Sequence, residues 1–276
     1  MPEQQLDRPE QRLLAAAETL GAGMAGLIAV VFLGLPIFAI IERAFEKTDF
    51  FDVISSSVVT EALRVSLMTT AVSLAIIVVV GTPLAYVLSR YRFPGHAVVD
   101  TLIDLPIVLP PAVGGLGLLM AFGRRGILGE WLDDAGVEIA FTTTAVIMAQ
   151  VFVASPFYIR AAKAGFDAVD RDLENVAYTL GSSRSGAFLR VAVPVAAPSL
   201  MAGAVMAWAR ALGEFGATIM FAGSLPGETQ TVPLAVYRSL ETGIDVPLAL
   251  STLLIGVSFA VLLTFRLLAG RGALTL

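Results

Sequence analysis

The chain has 276 residues, 57% of them hydrophobic and 15% charged, with a mean hydropathy of +0.82 and a formal net charge of −5. A soluble domain of this size could not bury so much apolar surface, so lipid is the expected solvent, and the acidic balance offers no footprint for nucleic acid. With no cysteine and a single histidine, His96, there is neither a disulfide framework nor a thiolate or histidine cluster for a metal.

Six apolar stretches follow one another, at 20–41, 61–89, 97–122, 141–164, 195–222 and 246–268. Each is long enough for a helix to cross ~30 Å of hydrocarbon, which takes about 20 residues. The short alternating segments of a β-barrel are absent. The fold class expected is therefore an all-α polytopic membrane protein of six transmembrane helices.

The polar start, 1–19, lacks the pattern of a cleaved signal peptide, so the first span, 20–41, is expected to be retained. His96 falls in a polar turn before the third span and reads as a solvated loop residue. That third span carries Pro106, Pro110 and Pro111, then Gly114, Gly115 and Gly117. A helix broken inside a membrane must satisfy its free backbone groups from protein or a watery cavity. Two readings follow, a break that lines a pathway or a packed kink. Asp100 and Asp104, four residues apart, would repel if both were ionised and lipid-facing, so they are expected to face the bundle or water.

The fifth span contains Arg210, with Glu214 four residues later on the same helical face. The plain reading is a local ion pair, and the functional one is a pair that lines or gates a path. Gly213 and Thr218 offer small or hydroxyl positions nearby, although small residues equally suit close helix packing. Pro110, Pro111, Arg210, Gly213, Glu214 and Thr218 are the candidates for a translocation pathway or its gate. The loops 123–140 and 223–245 contain candidate short helices, and a short tail, 269–276, follows the last span.

An even number of spans places both termini on one side. On that side fall Arg8, Arg12, Arg90, Arg92, Arg160, Lys163, Arg171, Arg184, Arg190, Arg266 and Arg271, against Arg43, Lys47, Arg64, Arg124, Arg125 and Arg238 on the other. The excess of cations marks the cytoplasmic face, so both termini are expected there.

The same side carries a polar island, 167–198, between the fourth and fifth spans. Leu173, Val176, Ala177 and Leu180 follow helical spacing and form one apolar stripe. Asp170 suits the N-cap, and Asp172 and Glu174 suit the positive end of the helix dipole. Gly181 can close the helix in the left-handed conformation. Ser182 or Ser183 can then cap a second short helix through Phe188, with Pro194 and Pro198 marking the return to the membrane. Such an island is either a cap packed on its own bundle or a knob for a groove on another protein.

The segment 174–194, ENVAYTLGSSRSGAFLRVAVP, resembles the Glu-Ala-Ala loop of ABC importer permeases. Asn175, Val176 and Ala177 take the Glu-Ala-Ala positions, and Gly181, Val191, Val193 and Pro194 match the remainder. Asn175 stands where that family carries glutamate, and Glu174, one position earlier, is a candidate for the missing charge. The resemblance implies a type I importer permease fold, with a domain over 61–268 whose cytoplasmic coupling loop, 167–194, docks on an ATPase. The coupling residues it implies are Asp172, Glu174, Asn175, Val176, Ala177, Leu180, Gly181, Arg184, Val191 and Pro194.

Neither lysine, Lys47 or Lys163, follows a glycine, so the chain has no phosphate-binding loop of its own. The resemblance accordingly implies no cofactor on this chain, with ATP and Mg held by two separate ATPase subunits. It further implies a second permease copy as a homodimer partner, an extracytoplasmic oxyanion-binding protein and residence in the cell membrane.

Two stretches, 105–129 and 208–234, resemble the molybdate/tungstate permeases of the sulfate/molybdate group. The residues that carry this are ARALGEFGAT at 209–218, FAG at 221–223, TQTVPL at 229–234, the Pro110-Pro111 pair and FGRRG at 122–126. The implied task is inward transport of molybdate or tungstate. Sulfate carried by the same machine is the first alternative, and a gradient-driven secondary transporter using Glu214 is the second.

Overall fold

The computed structural model describes residues 8–47 and 49–272, and all regular structure among them is helical. Five helices are long and apolar enough to cross a membrane: α1 (Arg8–Lys47), α3 (Ser57–Arg90), α7 (Thr143–Ala168), α10 (Val193–Leu212, continuous with the turns before it) and α13 (Asp245–Gly272). A sixth crossing is made by two short helices, α4 (His96–Val108) and α5 (Pro111–Phe122), bent by 118°. The remaining elements are α2 (Phe50–Ile54), α6 (Gly129–Asp134), α8 (Arg171–Thr179), α9 (Arg184–Ala187), α11 (Gly216–Phe221) and α12 (Val232–Ser239). Residues 1–7 and 273–276 of the expected polar start and tail lie outside the described residues.

The bent pair is a true crossing because of how its neighbours run. Contacts between α3 and α7 advance in the same direction along both helices. Gln150 Nε2 donates to Thr69 Oγ1, Thr82 and Tyr158 share a hydroxyl–hydroxyl bond of 2.6 Å, and Ser89 Oγ donates to Asp167. Two parallel helices separated by one connection require that connection to travel the whole way back. α4 meets α7 at Arg160, while the end of α5 packs with Val146 and Ala140 at the start of α7. From residue 160 to 146 that is a climb of roughly 20 Å at 1.5 Å per residue.

The fifth apolar stretch departs from the expectation of one unbroken span over 195–222. Its helix begins earlier, since the chain stays helical from Arg184 through a π turn at Phe188–Ala192 into α10. Pro194 stands in the first turn of α10, with helical backbone running straight into it. It has no N–H to give the preceding turn, and the wider π turn just before it takes up the mismatch. The same stretch ends early, at Leu212, and resumes as α11 after a break at 213–215.

The core lies between α3, α7 and α10, where Ile77, Leu88, Tyr158, Phe166 and Ala207 are buried. Small residues set the spacing of α7 and α10: a Cβ on Gly165 or Gly203 would meet Ser199 or Ala161 at under 3 Å. At the opposite end from α8, Val59, Val232 and Leu250 join α3, α12 and α13, and Ala44, Phe50 and Leu248 bring the end of α1 to the start of α13.

Candidate functional site

Helix α8 is built by its sequence. The Asp170 carboxylate caps it by accepting the Asp172 N–H at 2.9 Å, and Ser183 caps α9 by accepting the Gly186 N–H at 3.1 Å. Between them Gly181 takes φ +85°. The Ser182 N–H reaches the Ala177 carbonyl at 2.9 Å, and the Gly181 N–H reaches that of Tyr178 at 3.0 Å. This pair of bonds closes the helix end in the manner of a Schellman turn.

The packing of α8 is inverted relative to an ordinary surface helix. Leu173, Val176 and Leu180 are 46%, 56% and 82% exposed, whereas Glu174 is 5% exposed. The apolar stripe does not cover the bundle; it faces outward. Glu174 instead turns in, where its Oε1 accepts from Arg90 Nε at 2.8 Å and Nη2 at 2.6 Å, and its Oε2 from the Tyr86 hydroxyl at 2.5 Å. Glu174, the candidate for the charge missing at Asn175, is thus engaged inside the chain by Arg90 and Tyr86. Asn175 stays exposed, its amide donating to Asp172 at 3.3 Å. Arg184 is exposed, Ala177 and Val191 are half-buried and Pro194 lies on the exposed side of α10.

The second group of candidates is brought together by two helix breaks that abut. The first turn of α5 lies against the first turn of α11, where a Cβ on Gly216 would stand 3.0 Å from Pro111 and one on Gly115 2.7 Å from the Cα of Ala217. Pro110, Pro111 and Gly213 are exposed on this face, while Glu214 and Thr218 are buried. Arg210 Nη1 lies 2.7 Å from Glu214 Oε2, so the ion pair is present. The contact lacks hydrogen-bond alignment, leaving Oε2 without a donor. The other oxygen accepts the Ala217 N–H at 2.7 Å. One carboxylate thus holds the last turn of α10 and the first turn of α11 together across the break. The Thr218 hydroxyl, also buried, has no hydrogen-bond partner.

Two side chains at these sites carry more than sequence reasoning gave them. Arg160 meets Asp100 at 2.7 Å and Asp104 at 2.6 Å, which resolves the repulsion expected between the two carboxylates. Arg90 pairs with a glutamate 84 positions away. No local spacing signals either contact. His96 does not sit free in a loop: it opens α4, its Nε2 3.0 Å from the Leu88 carbonyl oxygen. At the far end, Ile127 and Trp131 stand 89% and 82% exposed on the 123–140 loop, where Arg124 and Glu138 pair at 3.2 Å.

Comparison with known proteins agrees with this architecture. Residues 77–270 match the family described as binding-protein-dependent transport system inner membrane component. The chain is 41% identical over 240 residues to the molybdenum transport system permease protein ModB of Mycobacterium tuberculosis, covering 87% of this chain and 90% of that protein. It is 32% identical over 257 residues to the sulfate transport system permease protein CysT of Escherichia coli, covering 92% of each. Among solved structures, a bacterial ABC transporter that imports the acidic polysaccharide alginate superposes with a TM-score of 0.74 at 15% identity, over 96% of this chain and 99% of that one. That likeness shows the type I importer permease fold. The chain belongs to the binding-protein-dependent transport system inner membrane component family, and is a multi-pass permease subunit of an ABC importer, a transport component and not itself a catalyst.

Proposed function

We propose that this subunit carries molybdate or tungstate inward, working as a pair with a second copy of itself. ATP and Mg are held on two separate ATPase subunits, and the solute is delivered by an extracytoplasmic binding protein. The observation that carries the coupling part is the inverted packing of α8: an apolar ridge of Leu173, Val176 and Leu180 exposed beside a capped glycine turn. Apolar side chains held outward by a buried ion pair suit a groove on a soluble partner, and the cation excess on that side favours the cytoplasm. Asp172, Asn175, Ala177, Gly181 and Arg184 surround the ridge. With six crossings, both termini then lie in the cytoplasm.

The abutting breaks at Pro110–Pro111 and Gly213–Glu214 are proposed as the pathway or its gate. Irregular backbone at membrane depth is tolerated against protein or water but not lipid. The exposed face of these breaks therefore suits a second copy or a water-filled route between two copies. Rocking of the bundle about these points would alternate access.

Molybdate is favoured over sulfate by the 41% identity to ModB against 32% to CysT, and by the ARALGEFGAT and TQTVPL segments. Family membership leaves the gradient-driven reading of Glu214 without support. Uptake into vesicles holding the assembled transporter tests the substrate. Molybdate uptake should persist against an equal concentration of sulfate, and displacement by sulfate at that ratio would assign the chain to sulfate instead.

A further inference from the structure

The fastening of α8 to the bundle concentrates in one place. Its apolar side chains Leu173, Val176 and Leu180 point away from the protein, so they do not hold it down. Glu174 does, through a two-pronged contact with Arg90, the last residue of α3. The two side chains are 8% and 6% exposed, and the Arg90 guanidinium also donates to the Val169 carbonyl at 3.1 Å, at the entry to α8. Tyr86, one turn back on α3, donates to the second carboxylate oxygen. Its ring packs on Phe166 and Phe188 at 5.4 and 4.7 Å, which fixes the ends of α7 and the π turn around the same point. A buried ion pair with every oxygen engaged is a stiff link, because sliding it apart exposes an uncompensated charge to a medium that solvates it poorly.

α3 is suited to carry displacement away from that link. It is 34 residues long, about 50 Å at 1.5 Å per residue. At its other end Ser66 Oγ accepts the Val232 N–H of α12 at 2.7 Å. Along its middle, Thr69, Ser73 and Thr82 are hydrogen-bonded to Gln150 and Tyr158 of α7. A movement of α8 passed to α3 can thus be carried along one helix to its hydrogen-bonded contacts at the opposite end of the bundle.

We propose that Arg90 and Glu174 form the joint through which movement of α8 is passed to α3, so that they act as positioning residues for transport. This rests on the coupling role proposed for α8. The joint lies on the inner side of α8, and the capped ends of α8 stay tied to α7 and α9 by short connections that keep the ridge presented, so loosening the joint should leave ATPase docking in place while separating hydrolysis from uptake.

The chain has no cysteine, which permits a direct test. Arg90→Gln, Glu174→Gln and the double variant Arg90→Cys with Glu174→Cys are placed in vesicles with the ATPase and binding protein. ATP hydrolysed per molybdate imported is measured before and after a short bismaleimide links the two cysteines. ATPase should co-purify with all three, and the ratio should rise roughly tenfold, the scale of a typical coupling between sites. Closing the tether should bring the ratio back toward that of the unaltered chain. An unchanged ratio in the glutamine variants, or a tethered protein that stays uncoupled, overturns the joint alone. Failure of the unaltered chain to co-purify with an ATPase would remove the coupling reading and the joint with it.

Discussion

Gly115 on α5 lies so close to Ala217 on α11 that a Cβ at position 115 would stand 2.5 Å from the Ala217 carbonyl oxygen. The two helix breaks are thus joined backbone to backbone, with no side chain between them. Gly115→Ala should force the halves apart at a cost of about 1–3 kcal/mol, the usual penalty of overpacking. Uptake should fall sharply while α8 still captures the ATPase, since the two regions share no residue. Parallel measurement of uptake and ATPase co-purification checks this, and equal loss of both would argue for global misfolding instead.

Gly181 presents the opposite case. No heavy atom lies within 4 Å of a Cβ built there, so space is not the constraint; its φ of +85° is. A side chain in the left-handed region costs roughly 1–2 kcal/mol, and more for a β-branched one. Gly181→Val should open the turn between α8 and α9 and weaken ATPase docking, with the six-span bundle still inserted. Protease accessibility of the outer loops reports insertion separately from docking.

The exposed ridge can be tested without disturbing the fold. Val176→Asp and Leu180→Asp replace side chains that bury little in the chain itself, so thermal stability should shift by no more than about 0.5 kcal/mol. If both anchor a partner, capture of the ATPase should weaken by over 1 kcal/mol, roughly fivefold or more. Unaltered capture in both variants would place the docking surface elsewhere.

Arg210 and Glu214 call for a double-mutant cycle. Arg210→Met leaves the Glu214 carboxylate buried with only the Ala217 N–H to compensate it, a loss on the order of 3–5 kcal/mol. Glu214→Gln keeps an acceptor for that N–H and should be milder. The combination of Arg210→Met with Glu214→Gln should recover most of the stability lost in Arg210→Met. Strict additivity in thermal unfolding would show that the pair is not coupled.

Much of this protein was legible as sequence because lipid enforces simple rules. Runs of apolar residues long enough to cross a bilayer must become helices, which marked the crossings at 61–89, 141–164 and 246–268 to within a few residues of α3, α7 and α13. The caps at Asp170 and Ser183 and the turn at Gly181 were equally visible, since capping and positive φ depend on residues a few positions apart. The i, i+4 spacing of Arg210 and Glu214 likewise announced their ion pair.

What only the tertiary structure decided was direction and distant pairing. Hydropathy recorded an apolar stretch at 195–222 but not its break after Leu212, because apolar composition is the same on both sides of a bend. The helical stripe of α8 was readable, yet which side of it faced the bundle was not. That was settled by Arg90, brought from 84 positions away to bury a carboxylate that any local reading would leave in water. Arg160, lying between Asp100 and Asp104, was decided in the same way. Local spacing sets which faces a helix has, whereas the charges that other helices bring to it set which face turns inward.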